Sequence, residues 1–305
     1  MKVSEQAERR TASKDKEGAN VNVRQSSSTS ALQVFMANKL AVGAVLALLV
    51  VAMFSFLGPL IYHTNQTATN LTMENLPPGP QHILGTSPTG KDELGRLMVG
   101  GQSTLEVGLA VGLLSTGFGL IWGTIAGYVG GAVDALMMRV VDAALSIPFL
   151  FFAVLLAAVI TPSVPLIIFV ISAVSWLSTA RLVRGETLKV RTYDFVAASK
   201  GFGTSNRSLI TRHIAPNVLG TLIVNGTLKV ADAILIFASL GYLGLGVAPP
   251  ATNWGATLAA GVNNIFNGYW WQLWPAAIMI IVTVLSVNVL GDGLRDVVER
   301  RLARS

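Results

Sequence analysis

Two stretches without a single charged side chain set the terms for this chain: residues 143–180, 38 in a row, and residues 233–291, 59 in a row. A water-soluble domain scatters charge over its whole surface. A bilayer excludes charge and forces backbone groups to pair within helices or closed barrels. Only 12% of the 305 residues are charged and 52% are apolar, against about 25% charged in soluble domains. The expected fold is an all-α, polytopic membrane protein, not an ordinary soluble enzyme or a disordered chain. The net charge of +6 forms no basic stripe interleaved with aromatics, so it is not a nucleic-acid footprint. Cysteine is absent, which excludes disulfides, zinc–thiolate and iron–sulfur sites. His63, His82 and His213 are too far apart for metal-ligand spacing.

The apolar runs divide into six spans. Residues 40–62 follow Lys39 and are long enough to cross about 30 Å of hydrocarbon. Residues 63–102 are polar, with Pro77-Pro78-Gly79-Pro80 in the middle, and residues 107–133 are charge-free again. There Ser115, Gly119, Gly123, Gly127 and Gly131 recur at every fourth position, a stripe suited to close helix packing. Thr161-Pro162-Ser163-Val164-Pro165 breaks the 38-residue run into two halves of 17 to 19 residues, each long enough to cross. Residues 218–246 form a fifth span, and Tyr269-Trp270-Trp271 and Trp274 form an aromatic belt at a sixth, ending at Gly291. Of 22 Lys and Arg, 19 fall on the termini, Arg139 and the 181–217 loop, against Lys91 and Arg96 on the other face. That bias places both termini and the loop in the cytoplasm. The expected divisions are a disordered cytoplasmic tail at 1–35, a first span with an extracytoplasmic segment at 36–101, a five-helix core at 102–291 and a cytoplasmic tail at 292–305.

Gly85-Thr-Ser-Pro-Thr-Gly90-Lys91 imitates a phosphate-binding loop, but Asp92 stands where a magnesium-holding Ser or Thr belongs and no strand precedes it. No G-x-S-x-G, no H-E-x-x-H and no readable carboxylate pair is present. The 181–217 loop is the informative stretch. Asp194 is placed to cap a short helix carrying Phe195, Ala197, Ala198 and Ser199, and Gly203 to end it. A second short helix with Arg207, Arg212 and Ile214 follows, and Pro216 is suited to start the next span. Such a hook would set apolar residues into a partner's groove; the bland alternative is a basic loop resting on lipid headgroups.

This loop resembles the EAA loop of ABC-importer permeases, whose pattern is Glu-Ala-Ala, three residues, Gly, nine residues, Ile, any residue, Leu-Pro. Ala197, Ala198 and Ser199 stand at the first three places, Gly203 fits, Ile214 follows after ten residues, and Ala215-Pro216 closes the pattern. The Glu is missing. His82-Ile-Leu-Gly85-Thr86, Gly127 to Pro148, Gly244 to Gly255, and Leu290 to Asp296 match further blocks in order. The chain is similar to the C-type permease subunit of the dipeptide/oligopeptide/nickel ABC importer family. The resemblance implies the type I importer permease fold with six transmembrane helices and no catalysis. It implies a second permease, two ATPase subunits that bind ATP and magnesium, and an extracytoplasmic substrate-binding protein. This chain itself would hold no cofactor and no metal. It would sit in the cytoplasmic membrane among lipid, with the loop as its coupling element.

Lys229 and Asp232 lie three apart inside the fifth span and share a helix face. A mid-membrane charge costs about 3 kcal/mol unless it faces a cavity or partner. Two readings stand: an intrahelical pair that merely packs, or a lining of the substrate path that meets the termini of a peptide. Arg139 and Asp142, also three apart, read as a structural pair. The substrate stays open between peptides, a nickel chelate and another small solute. An ATP-independent secondary transporter or channel is the rival class, and it would need ion-coupling residues in several spans.

Overall fold

The computed structural model describes residues 31–64 and 66–302. Among them the one β pairing is the isolated bridge Thr86–Asp92. The tail expected at residues 1–35 lies outside the described residues as far as residue 30. Its last residues belong to a short helix, α1 (Ala31–Ala37). Asn38 then opens α2 (Lys39–Ile61), its Oδ1 accepting the N–H groups of Leu40 at 3.1 Å and Ala41 at 3.2 Å. Asp92 opens α3 (Glu93–Val129) by accepting the Gly95 N–H at 2.7 Å.

α3 therefore starts well before the span expected from residue 107, and the division expected at 101/102 falls inside it. Its first turns are polar and small, which hid them from a hydropathy reading. They are buried all the same, because Gly101 lies against Ser55 and Trp254, and Thr104 returns its hydroxyl to the Gly100 carbonyl at 2.6 Å.

Gly130, at φ +71°, lets the chain leave α3 in a conformation closed to most side chains. α4 (Gly131–Leu145) and α5 (Phe149–Val159) follow, separated at Ser146–Pro148. Eleven residues of α5 span only about 16 Å, too little to cross alone. The first half of the long charge-free run thus does not cross as one helix as expected, whereas the second half lies in a helix of spanning length, residues 164–191. The crossing is assembled from α4 and α5 together.

That this segment does cross follows from its neighbours. α6 (Val164–Arg191), capped by Ser163, runs parallel to α3: Gly119, Gly123 and Gly127 lie against Thr179, Val183 and Thr187 in that order. Two parallel helices need the chain between them to return. Among the described residues five helices are individually long and apolar enough to span, and the α4–α5 pair supplies the sixth crossing. Gly131, expected in the close-packing stripe, leaves it: nothing lies within 4 Å of its would-be Cβ.

Past α6 come α7 (Asp194–Gly201) and α8 (Asn206–Leu209). A five-residue π-helical turn, Ile210–Ile214, then feeds α9 (Ala215–Tyr242) without a break. α9 runs antiparallel to α3, with Ile234 on Gly108 and Val230 on Gly112. α10 (Trp254–Val262) lies across the far end, where the Trp254 indole N–H donates to the Leu97 carbonyl at 2.9 Å. α11 (Trp274–Leu302) closes the bundle, and the basic tail expected from residue 292 continues this helix as far as Leu302. One apolar core cluster is shared by four helices: Val107 and Val111 of α3, Ala153 of α5, Ile167 and Ile171 of α6, and Ala233 and Phe237 of α9.

Candidate functional site

At the basic end α7 and α8 form a hook packed on the bundle by its inner face. Val196, Leu209 and Ile214 are buried with Val183 and Val190 of α6 and Val218 and Leu222 of α9. Asp194 lies in the first turn of α7, but the N-cap is Tyr193 and no side chain caps the helix, so the capping role expected for Asp194 is not taken up. Gly203 ends the helix as expected. At φ +79° its N–H reaches the Lys200 carbonyl at 3.0 Å and the Thr204 N–H reaches Ser199 at 3.2 Å, a Schellman closure.

The outer face is the part a partner could touch. Phe195, Ser199 and Phe202 are spaced four and three apart and so form one stripe. Phe195 is 42% exposed and Phe202 91% exposed. The Tyr193 ring lies 5.8 Å from Phe195, and His213 6.2 Å beyond it, extending the aromatic surface. Ala197, Ala198, Arg207 and Arg212 are also exposed. Ile214 is not: it is fully buried and serves the attachment of the hook instead. Pro216 falls in the first turn of α9 just after the π-helical turn, so the second short helix merges with the span instead of stopping before it. Phe202 was absent from the residues the sequence singled out. Its signal was there, an aromatic seven residues after Phe195 on the same helical face.

Ion pairs brace this end. Arg184 grips Asp134 through two bonds, its Nη2 2.6 Å from Oδ2, and joins α6 to α4. Arg181 pairs with Asp142. The pair expected between Arg139 and Asp142 is therefore not formed: Asp142 turns to the guanidinium of α6, and Arg139 stands exposed. Tyr128, near the end of α3, donates to Asn206 Oδ1 at 2.6 Å and receives Arg191 on its carbonyl at 3.0 Å.

Within the bundle, Lys229 Nζ and Asp232 Oδ2 are 3.0 Å apart. The lysine side chain is 15% exposed and the aspartate 56%. Asp232 is ten residues from the nearer end of α9, about 15 Å along the helix. Asn225 is on the same face, four residues before Lys229, and its Oδ1 accepts the Thr179 hydroxyl at 3.1 Å. The sequence reading missed Asn225 because a lone amide leaves no charge signal.

The far end is locked, not reactive. Asp92 Oδ2 accepts from Tyr62 at 2.9 Å and meets His82 Nδ1 at 2.8 Å. Burial first, and then the Asp92 carboxylate, push the Tyr62 phenol above its ordinary value. Gln272 Nε2 and Trp271 Nε1 both donate to the Thr86 carbonyl, at 2.9 and 3.2 Å. The phosphate-loop lookalike is thus a turn pinned under Trp271, with Ser87 Oγ accepting the Lys91 N–H at 3.0 Å.

Helices of spanning length, an end braced by ion pairs and an exposed aromatic hook define a membrane-spanning helical protein. Residues 119–304 match the family described as binding-protein-dependent transport system inner membrane component, and the chain belongs to that family. Residues 27–78 match the N-terminal TM domain of oligopeptide transport permease C. The chain is 36% identical over 267 residues to the dipeptide transport system permease protein DppC of Bacillus subtilis, covering 88% of this chain and 83% of that protein. It is 34% identical over 270 residues to the oligopeptide transport system permease protein OppC of the same organism, covering 88% of each. It is 38% identical over 256 residues to the probable D,D-dipeptide transport system permease protein DdpC of Escherichia coli, covering 84% of this chain and 85% of that protein. It is a multi-pass membrane permease of the C type with the type I importer fold.

Proposed function

We propose that this chain is one permease subunit of an ATP-driven importer of peptides. It would act with a second homologous permease, two ATPase subunits beneath the α7 hook and a substrate-binding protein at the far end. ATP and magnesium would be held by the ATPases. The charge bias favours a cytoplasmic hook and cytoplasmic termini. The observation that carries the reading is the outward stripe of Phe195 and Phe202, on a helix whose inward residue Val196 is fixed to α6 and α9. A groove closing on that stripe would move α7 as a rigid body and pass the motion to both spans. The relatives' names, all of peptide systems, support the substrate class.

The substrate path would run along the face of α9 that carries Asn225, Lys229 and Asp232. A half-exposed carboxylate at that depth is too costly against lipid, so its face would meet water or the partner permease. A cation and an anion side by side suit a zwitterionic peptide.

The test is purification of the tagged complex from its native membrane, with uptake measured in vesicles. Burying one Phe contributes about 1.5–3 kcal/mol. Phe195→Ser with Phe202→Ser should weaken ATPase association by about 100-fold or more while the permease stays folded. If the chain purifies without ATPases and moves peptide without ATP, the proposal fails.

A further inference from the structure

At the basic end a cavity of about 330 Å³ lies between the hook and the ends of α3 and α6. Val129, Val196 and Leu209 make its apolar side, and Arg191 and Lys200 bring a guanidinium and an ammonium to it. No carboxylate lines it. Neither cation has an ion pair among the described residues. Arg191 is held in place: its Nη1 donates to the Tyr128 carbonyl at 3.0 Å, and the Tyr128 hydroxyl donates to Asn206 of α8 at 2.6 Å. That bond uses only one of the guanidinium donors. Ala197, which also lines the cavity, stands three residues before Lys200, where an acidic side chain would have paired with it. The methyl group brings no charge.

We propose that this cavity binds the phosphate of an anionic phospholipid headgroup from the leaflet at the basic end. Two cations in one enclosure repel each other until an anion sits between them. The placement of the cavity decides where the anion comes from. An acidic side chain of an ATPase would approach the side of α7 that carries Phe195 and Phe202. At about 100° per residue, Ala197 and Lys200 project about 140–160° around the helix from both of them. The cavity therefore lies on the flank turned away from the docking stripe. A helix of the second permease is too thick: about 10 Å across, it would fill 330 Å³ in about 4 Å of its length. A lipid reaches the cavity directly. Phe118, Ile121, Ile125 and Val129 lie three or four residues apart on α3 and are 40% to 59% exposed, an apolar column that runs from within the span to the cavity wall. A phospholipid brings an anion and an apolar chain in adjoining positions, and basic pockets at the cytoplasmic surface of a helical bundle suit anionic headgroups. Setting the ATPase aside rests on the docking face argued above, so ATPase retention is read separately from lipid in the test.

The test uses the full chain, in its complex, reconstituted in vesicles holding equal amounts of phosphatidylglycerol and phosphatidylcholine. One lipid or the other carries a photoactivatable diazirine at the headgroup end of an acyl chain, and labelled residues are mapped by mass spectrometry. Each cation beside a headgroup contributes about fivefold. Phosphatidylglycerol should therefore label Val129 and Leu209 about 30-fold more than phosphatidylcholine does, while Leu113, 74% exposed on α3, is labelled alike by both. Lys200→Gln should reduce the preference to about fivefold. Ala197→Glu, which gives the cavity its own carboxylate, should abolish it. Ala198→Glu adds the same charge to α7 outside the cavity lining and should leave it in place. Equal labelling of Val129 and Leu209 by the two lipids in the unaltered complex would overturn the proposal, and so would a preference that survives Ala197→Glu. Loss of the ATPase subunits from Ala197→Glu with no lipid preference in the unaltered complex would assign the cavity to an ATPase carboxylate instead. A preference kept in a preparation without ATPases supports the lipid site and counts against the docking reading alone.

Discussion

Replacing Gly123 by Ala puts the α3–α6 seam under a quantitative test. A Cβ there would lie 2.4 Å from the Ala180 carbonyl oxygen and 2.9 Å from the Arg184 backbone nitrogen. Both are backbone atoms of α6, so no side chain can rotate away. The two helices must part by about 1 Å to restore ordinary contact. Overpacking of this kind costs about 1–3 kcal/mol, and helix propensity returns only about 1 kcal/mol of it. Gly117 lies on the same helix with nothing within 4 Å of its would-be Cβ. Gly117→Ala should therefore stabilise by about 0.5–1 kcal/mol. The assay is unfolding of the purified protein in mild detergent, with both variants measured beside the unaltered chain. Opposite signs are expected. Gly123→Ala at or above unaltered stability would refute the claim that this glycine is set by backbone approach.

Arg184→Leu leaves Asp134, whose side chain is only 13% exposed, without its partner. A loss of about 1–3 kcal/mol is expected in the same assay, partly restored by the exchange Arg184→Asp with Asp134→Arg. Lys229→Met with Asp232→Leu should leave the fold intact but lower peptide uptake by about tenfold or more, and unchanged uptake and selectivity would remove α9 from the path. Asp92→Ala strips the cap of α3 together with the partners of Tyr62 and His82, and should destabilise by about 1–3 kcal/mol. The raised Tyr62 value means the folded state holds the phenol's proton more tightly than the unfolded chain. Its contribution is present below about pH 10 and lost as pH rises through the folded value. Tyr62→Phe should shrink that alkaline loss, as measured by unfolding midpoints across pH 8 to 11.

Much of the site was legible because it is local. The hook, its closing Gly203 and the Lys229–Asp232 pair depend on residues within one or two turns of each other, and spacing alone reveals such relations. The Phe195–Phe202 stripe was equally local, yet its direction was hidden, because which face of α7 packs inward depends on Val183, Val190 and Val218 of other helices. For the same reason Ile214 proved to be attachment and not docking surface. Asp142 illustrates the limit for charges: Arg139 is the nearer cation in sequence, but Arg181 is the one the packing of α4 on α6 presents.

The sequence by itself determined that this chain lives in a bilayer, which ends are basic, and where the basic loop and the break at Thr161–Pro165 lie. Those properties follow from composition over short windows, since hydrocarbon excludes charge whatever the fold. Only the tertiary structure decided that α3 starts at Glu93, that the third crossing is made in two pieces, and that Val51 of α2 packs with Leu97, Ala276 and Ile280. Each of these depends on the register between helices distant in the chain, where small residues set how closely backbones approach. A span's own sequence does not contain its neighbour.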